Sequence, residues 1–135
     1  MIWLWFVIGC NASQSVSSSP VQRFPTRDIH VRGKEYTVEF ACKDHEVALG
    51  LRHRVLQKNE GAILCVASGA VTMKKMKSPI SVAFVSSDKK ILSVHELGLE
   101  DSDLPLAPHT KWVWEMPKGW FAENRIYEGM QIDGL

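Results

Sequence analysis

The chain has 135 residues, with 16 Lys and Arg against 15 Asp and Glu, and 45% of its residues are hydrophobic. A net charge of +1 argues against a nucleic-acid partner that is held by bulk positive charge. The composition is that of an ordinary globular protein, and residues 27–135 are numerous enough for one domain.

The N-terminus, MIWLWFVIGC, contains an uninterrupted apolar run from Ile2 to Ile8. The run is too short for a membrane span, which takes about 20 apolar residues, but it is typical of a secretory signal. Its end, Val7-Ile8-Gly9-Cys10, resembles a bacterial lipobox and predicts a signal peptide at 1–9 and lipidation of Cys10. No Lys or Arg precedes the run, so the signal is either unusually short or begins upstream. A buried first strand is the alternative.

The segment NASQSVSSSPVQ follows Cys10 and is uncharged, Ser-rich and poor in large apolar residues. It can bury little apolar surface, which predicts a flexible tether over residues 10–27. A lipid on Cys10 then makes the membrane the N-terminal partner and predicts an exported lipoprotein in the bacterial cell envelope. A disordered tail without a lipid predicts the same local structure.

The first clear strand is EYTVEFAC, in which apolar and polar residues alternate. Its apolar face consists of Tyr36, Val38, Phe40 and Cys42, and its polar face of Glu35, Thr37 and Glu39. One packed helix is predicted next, near residues 44–56, because Asp44 can cap it. The apolar positions of that helix recur at helical spacing and are Val47, Leu51 and Val55.

Most of the remaining segments predict strands. GAILCVAS after Gly61 predicts a short apolar strand, and ISVAFVSSDKKILSVHEL predicts a hairpin with a polar turn. EDSDLPLAPH predicts a loop, and KWVWEM and MQIDGL predict two further strands. This pattern predicts a mainly β protein (β-rich α+β), namely an antiparallel β-sandwich or barrel with one packed helix.

Cys42 and Cys65 are the cysteines that remain if Cys10 is lipidated. Each belongs to an apolar strand pattern, so we expect both to face the core on neighbouring strands. The envelope is oxidising, and the two can form a disulfide if their Cα atoms lie within about 7 Å of each other. Two unpaired thiols that pack as small apolar side chains are the alternative.

Three segments occur in an order that resembles the domain of unknown function 192 family over about residues 36–132. They are ALGLRHRVLQKNEGAILCV, MKKMKSPISVAFVSSDKKIL and WVWEMPKGWFAENRIYEGMQI. The positions that match the family pattern are Gly50, Leu51, Arg54, Gly61, Met73, Lys74, Pro79, Glu115, Pro117 and Gly119. Lys75 and Ser81 replace the Asn and Asp of its central motif, so the chain resembles a divergent member. The resemblance implies one domain at 28–135, a β-sandwich and frequent export, without an agreed activity.

The sequence carries no pattern for a metal site or a cofactor. Its histidines, at positions 30, 45, 53, 95 and 109, form no His-Glu-x-x-His motif. Asp101 and Asp103 have the spacing of a calcium loop but lack its later Gly and Glu. Ser68 lacks the flanking glycines of a hydrolase nucleophile. We therefore expect no cofactor, and the sequence favours a protein that is not an enzyme.

Two features suit ligand binding. Three tryptophans that could hold sugar rings fall within nine residues, at Trp112, Trp114 and Trp120. Strand alternation favours a core position for the first two and leaves Trp120 free to be exposed. The segment MKKMK carries the second feature, an anion-binding patch formed by Lys74, Lys75 and Lys77. A charged, solvated strand edge is the alternative for these lysines.

We therefore predict a lipid-anchored, non-catalytic binding or accessory module, with an anionic or glycan envelope polymer or a protein as its partner. The binding residues that we expect are Arg54, Lys74, Lys75, Lys77 and Trp120. The alternative is a small envelope hydrolase or transferase with a site near Arg54, Lys74 and Glu115. An enzyme requires a concave pocket with clustered groups of shifted pKa, whereas a binder requires exposed aromatic or basic residues.

Overall fold

The computed structural model describes residues 21–135. The predicted signal peptide, Cys10 and most of the predicted tether lie outside the described residues. The strands are β1 (Thr26–Val31), β2 (Lys34–Ala41), β3 (Ala62–Cys65), β4 (Ala70–Val71), β5 (Ile80–Ser86), β6 (Ile91–Leu97), β7 (Leu104–Pro105), β8 (Thr110–Pro117) and β9 (Ile132–Asp133). The helices are α1 (Asp44–Leu49) and α2 (Trp120–Glu123).

Seven strands form one curled sheet in the order β6-β5-β8-β3-β2-β1-β9, and β4 pairs with β7 in a separate two-stranded sheet. β2 and β3 run parallel, whereas the other neighbouring pairs are antiparallel. The two edges of the large sheet approach each other, since the Ile91 N–H donates to the Met130 carbonyl at 2.9 Å. The mainly β class predicted from the sequence is confirmed as a curled half-barrel, while a sandwich or a closed barrel is not shown.

The two faces of the sheet pack against different apolar clusters. On β8, Trp112, Trp114 and Met116 join the cluster that also contains Phe121. Val113 points to the opposite face and packs in a second cluster with β5 residues. This arrangement follows the predicted alternation of β8, and it leaves Glu115 on the same side as Val113.

Helix α1 is shorter than the helix predicted near 44–56, because it ends at Leu49. Gly50 follows with a φ of +52°, a left-handed conformation that favours glycine and stops the helix. Val55, predicted to lie on the apolar helix face, is 70% exposed. Lys43 rather than Asp44 occupies the N-cap, and its N–H donates to Glu46 Oε1 at 3.2 Å.

The folded body begins earlier than the predicted boundary between 27 and 28. Phe24 is buried, and its N–H donates to Glu39 Oε1 at 2.8 Å. The Phe40 N–H donates to the Pro25 carbonyl at 2.7 Å, and β1 begins at Thr26. The last residues of the predicted tether therefore pack against β2.

The sequence patterns do not predict β1, β4, β7 or α2. β4 and β7 have two residues each, and β7 lies within EDSDLPLAPH, for which the sequence predicts a loop. α2 is a single turn of four residues. Elements of two to four residues form because of the neighbours that they contact, so the local sequence pattern predicts them poorly. Among residues 21–135, no helix is long and apolar enough to cross a membrane.

Candidate functional site

A cavity of about 260 Å³ opens between the end of α1, the segment 66–76 and strand β8. Its apolar wall includes Leu64, Val66, Val71, Met76, Leu106 and Val113. Its polar lining residues are Arg52, Ser68, Thr72 and Glu115. A concave, largely apolar pocket with a few polar groups is the usual form of a small-molecule site.

Gly50 brings the end of α1 over Glu115. A Cβ atom placed on Gly50 would lie 3.9 Å from Glu115 Oε1 and 3.8 Å from Leu64 Cδ1. The left-handed turn at Gly50 directs the next residue, Leu51, into the core, and Arg52 then lines the cavity. Residues 50–52 thus cover the side of the cavity on which the carboxylate of Glu115 lies.

Glu115 is an acidic residue in a nearly dry position, with 6% of its surface exposed. Burial raises its pKa to about 7, and the positive charge of Arg52 offsets only part of that rise. Within residues 21–135, no side chain or N–H group donates a hydrogen bond to the carboxylate of Glu115. A buried carboxyl of raised pKa in a cavity is a candidate functional group.

Gly61 allows β3 to approach the backbone of Glu115. It directly precedes Ala62, which pairs with Glu115 across the two strands. A Cβ atom on Gly61 would collide with the carbonyl oxygen of Glu115 and with Sδ of Met116. Glycine is therefore required here by close packing rather than by backbone conformation.

Arg54 belongs to a buried charge cluster outside this cavity. Its Nη1 donates to Glu39 Oε2 at 2.7 Å and to Glu60 Oε2 at 3.2 Å, and its Nη2 donates to Glu39 Oε1 at 2.9 Å. Nη2 also donates to the Gln22 carbonyl at 2.7 Å. Arg23 joins the cluster through Glu60, at 2.7 Å. These contacts occupy the guanidinium and fix residues 22–24 to β2.

The charge cluster shifts the pKa of two of its members. Burial by itself would lower the pKa of Arg54, but Glu39 and Glu60 outweigh it and the pKa is raised. Burial would raise the pKa of Glu60, yet hydrogen bonds from the Gln57 N–H, Arg23 and Arg54 outweigh it and the pKa is lowered. Both residues therefore remain ionised, as expected for a structural ion pair.

The residues of the predicted catalytic alternative lie in three separate places. Arg54 is in the charge cluster and Glu115 is in the cavity. Lys74 lines a shallow groove together with Asp101 and Asp103. The site that was expected near Arg54, Lys74 and Glu115 is thus divided, and only Glu115 belongs to the cavity.

The MKKMK segment forms a turn rather than a strand edge. Met73 is buried and Met76 half-buried, and the exposed side chains are Lys74, Lys75 and Lys77. Lys75 has a φ of +63°, and its carbonyl accepts a hydrogen bond from the His53 N–H at 3.1 Å. The turn therefore displays three cations on one short loop, next to the cavity wall that Met76 lines.

Trp120 is not exposed, contrary to the expectation from the sequence. It is 3% accessible, and its Nε1 donates to Asn59 Oδ1 at 3.0 Å. Its ring lies 5.4 Å from that of Trp114 and 5.3 Å from that of Phe121, centroid to centroid. The Pro-Lys-Gly turn returns the chain into α2, which inserts Trp120 into the core. Trp120 is therefore a packing residue and not a sugar platform.

Ser81, which stands in place of the Asp of the family motif, is fully buried. Its Oγ donates to Glu96 Oε1 at 2.6 Å and accepts from the Gly119 N–H at 2.7 Å. Gly119 has a φ of +85° at the start of α2. These bonds connect β5, β6 and the turn after β8, which is a structural role.

The remaining family positions support packing. Leu51 and Met73 are buried, and the Pro79 carbonyl accepts from the Lys118 N–H at 3.3 Å. Pro117 ends β8 opposite Ile80. The matching framework therefore consists mainly of residues that shape the fold, with Glu115 as the charged member that lines the cavity.

Cys42 and Cys65 form a disulfide in the structure, with Cα atoms 4.7 Å apart. Cys65 is half-buried, but Cys42 is exposed, so the expectation that both face the core is wrong for Cys42. The bond joins the ends of the parallel strands β2 and β3, since Cys42 follows β2 directly. In the part of the chain that is described, no three His, Cys, Asp or Glu side chains cluster as metal ligands would.

Arg52 is the charged residue of the cavity that the sequence patterns do not single out. The family pattern points to Arg54, and nothing in the spacing of LRHR distinguishes the two arginines. The distinction arises from the turn at Gly50, which directs Arg52 to the cavity and Arg54 to Glu39.

The described residues thus define a small, mainly β protein with a curled sheet and an acidic cavity beside its central strand. The chain belongs to the DUF192 family, described as "Uncharacterized ACR", whose model matches residues 27–134.

Two crystal structures share this fold. One is a candidate transcription regulator from Sinorhizobium meliloti 1021, with a TM-score of 0.70 and 18% identity over 85% of this chain and 98% of its own. The other is a protein of unknown function from Novosphingobium aromaticivorans DSM 12444, with a TM-score of 0.73 and 24% identity over 87% of this chain and 91% of its own. At these identities the likeness establishes the fold alone. No curated protein sequence matches this chain.

Proposed function

We propose that this protein is a lipid-anchored, non-catalytic binding module of the bacterial cell envelope, and that its ligand occupies the Glu115 cavity. The observation that carries the proposal is a buried carboxylate that shares a cavity of mixed polar and apolar lining with Arg52. Glu115 is a single group of raised pKa in this lining and not the cluster of shifted groups that an enzyme requires. A desolvated charge is costly unless a partner compensates it, so a ligand that supplies this partner gains binding free energy there.

The anchor part of the proposal rests on the sequence MIWLWFVIGC and on the Ser-rich segment behind it. Its test is expression of the wild type and of Cys10→Ser in a bacterial host. The wild type should fractionate with membranes and carry a diacylglycerol on Cys10, whereas Cys10→Ser should not. An intact mass that retains Met1 and lacks a lipid would refute the anchor.

The binding part is tested with a variant that fills the cavity. Thr72→Trp adds a large side chain to the lining and leaves Glu115 and Arg52 in place, whereas Ser87→Trp adds the same side chain to an exposed turn. The purified chains are incubated with a small-molecule extract of bacterial envelopes, and the retained compounds are identified by mass spectrometry. We expect retention by the wild type and Ser87→Trp but not by Thr72→Trp. Equal retention by all three would reject the cavity as the site.

A small envelope hydrolase or transferase is the second candidate, and the pKa of Glu115 is the observation that favours it. A carboxyl with a pKa of about 7 can both accept and donate a proton near neutral pH, as a general acid or base must. The two candidates differ in the fate of the retained compound. A binding module releases the compound unchanged, whereas an enzyme converts it into a product. In that case the Glu115→Gln variant should form no product.

A further inference from the structure

The cavity contains two opposite charges that do not neutralise each other. Arg52 and Glu115 both line it, and the positive charge of Arg52 acts on Glu115. Yet no ion pair joins them among the contacts of residues 21–135. The Arg52 backbone N–H bonds to the Leu49 carbonyl, while its guanidinium donates to no described residue. A ligand can therefore place an anionic group against Arg52 and a cationic group against Glu115.

The same cavity has an apolar side. Leu64 from β3, Val71 from β4 and Val113 from β8 converge on it, and Val71 and Val113 are also part of the buried cluster on that face. These three side chains are at most 7% exposed, so an aliphatic group packed on them mainly removes its own apolar surface from water. Burial of an aliphatic group against them contributes roughly 25 cal/mol per Å² of apolar surface.

The size of the cavity restricts the ligand further. About 260 Å³ is less than the roughly 300–1,000 Å³ of pockets that hold drug-sized molecules. A single polymer repeat or a small metabolite can enter, but a long chain could insert only one end.

We propose that this cavity binds a small zwitterion of the α-amino-acid type with an aliphatic side chain. The ammonium group contacts Glu115, the carboxylate contacts Arg52, and the side chain packs on Leu64, Val71 and Val113. An Arg guanidinium is suited to this carboxylate because it presents two parallel donors. The inference rests on the proposed binding function and names the ligand class for it.

The ammonium group of such a ligand also donates hydrogen bonds to the carboxylate of Glu115, which receives none from the described residues. Ser68 and Thr72 lie in the lining and can donate hydrogen bonds to the ligand carboxylate as well. The ligand thereby contacts both charges, and the buried carboxylate of Glu115 gains a partner of opposite charge. Ligands that carry only one of the two charges should therefore bind more weakly.

The test is isothermal titration calorimetry of the purified full chain with L-leucine at pH 8, above the pKa of Glu115, where its carboxylate is ionised. Two analogues each remove one charge: 4-methylpentanoate lacks the ammonium group, and 3-methylbutylamine lacks the carboxylate. We expect leucine to bind and each analogue to bind at least about tenfold more weakly, which corresponds to about 1.4 kcal/mol.

Variants test the same contacts from the side of the protein. Glu115→Gln and Arg52→Gln should each weaken leucine binding by about tenfold or more, while Lys58→Gln, which removes an exposed cation outside the cavity, should not. Circular dichroism establishes that each variant is folded. Arg52→Lys should recover part of the affinity, because it restores the charge without the two parallel donors.

Three results would overturn the inference: no leucine binding up to about 10 mM, equal binding of the analogues, or unchanged affinity in both cavity variants. Its failure is distinguishable from that of the proposed function. If envelope compounds are still retained in a way that Thr72→Trp abolishes, the cavity binds a ligand and only the zwitterion is wrong. If no compound is retained either, both are wrong.

Discussion

Arg54 donates two hydrogen bonds, of 2.7 Å and 2.9 Å, to the carboxylate of Glu39. The two residues are 15 positions apart in sequence, and Arg54 is only 2% exposed. The strand pattern of β2 predicts that Glu39 faces solvent. It is buried instead because Arg54 covers it and the Phe24 N–H bonds to the same carboxylate.

Removing Arg54 should therefore destabilise the fold. We expect Arg54→Met to lower the free energy of unfolding by about 3–5 kcal/mol, because it leaves the carboxylate of Glu39 buried without its cation. Urea unfolding measures the change. The double variant Arg54→Met/Glu39→Gln should recover part of the loss, whereas Arg23→Gln, on the exposed side, should cost less than about 1 kcal/mol. An Arg54→Met protein as stable as the wild type would contradict this role.

Glu115 should make stability depend on pH. Its pKa is raised from 4.5 to about 7, so the folded protein binds this proton more tightly than the unfolded chain does. The free energy of unfolding should therefore fall as pH rises above 4.5 and level off above about 7, by roughly 3 kcal/mol in total. Arg52 is the other ionisable side chain of the cavity lining.

Glu115→Gln is the matched variant for this prediction. It removes the titrating group and keeps the shape of the side chain, so its stability relative to the wild type should increase between pH 5 and pH 8. Thermal unfolding across that pH range measures the difference. A constant difference across the range would show that Glu115 does not titrate there.

Gly61→Ala should disrupt the contact between β3 and β8. The added methyl group meets a backbone carbonyl, that of Glu115, which cannot rotate away, so we expect a loss of about 3 kcal/mol or more. Gly98→Ala is the control, since a Cβ there lies 3.7 Å from its nearest neighbour, Asp101 Oδ2. Denaturant unfolding should show a large loss for Gly61→Ala and little change for Gly98→Ala.

The lysine turn predicts salt-sensitive binding of anionic envelope polymers. Replacing Lys74, Lys75 and Lys77 together by Gln should reduce retention of the chain on purified teichoic acid or lipopolysaccharide at low salt. The difference should vanish near 1 M salt, where the Debye length falls to about 3 Å. A second triple variant, Lys34→Gln, Lys58→Gln and Lys111→Gln, removes the same charge from exposed positions elsewhere. If both variants lose retention equally, net charge and not the turn is responsible.

The Cys42–Cys65 bond is tested on a Cys10→Ser background. Neither remaining cysteine should react with a thiol reagent before reduction. The two cysteines are 23 positions apart, so loss of the bond in Cys42→Ser/Cys65→Ser should cost about 3 kcal/mol by the loop-entropy estimate. Two reactive thiols in the native protein would show that the bond is not formed.

Strand alternation predicts much of this fold because a period of two reports directly which face is buried. The two faces of β8 follow from it, whereas the hairpin of β5 and β6 follows from the polar turn between them, since β5 is buried at every position. The helix end does not, because Val47, Leu51 and Val55 keep a helical spacing through the point where Gly50 turns left-handed. Local spacing contains no information on that turn.

The site is less predictable than the fold. Glu115 matches a family position, but its burial depends on α1 and segment 66–76, which are distant in sequence. Arg52 has no local pattern at all. Trp120 was expected at the surface because it follows a Pro-Lys-Gly turn, and only the contacts of α2 with Trp114 and Phe121 explain why it is buried.

The position of β8 in the sheet has a consequence for how the chain assembles. β8 lies between β5 and β3, which precede it in sequence. Until residues 110–117 insert, the β5–β6 hairpin and the β1–β2–β3 group each have an unpaired inner edge, and such edges are templates for aggregation. These distant pairings favour slow folding. A chain that emerges from a ribosome therefore exposes these unpaired strand edges until residues 110–117 are free, and a delay at that stage would favour capture by a chaperone.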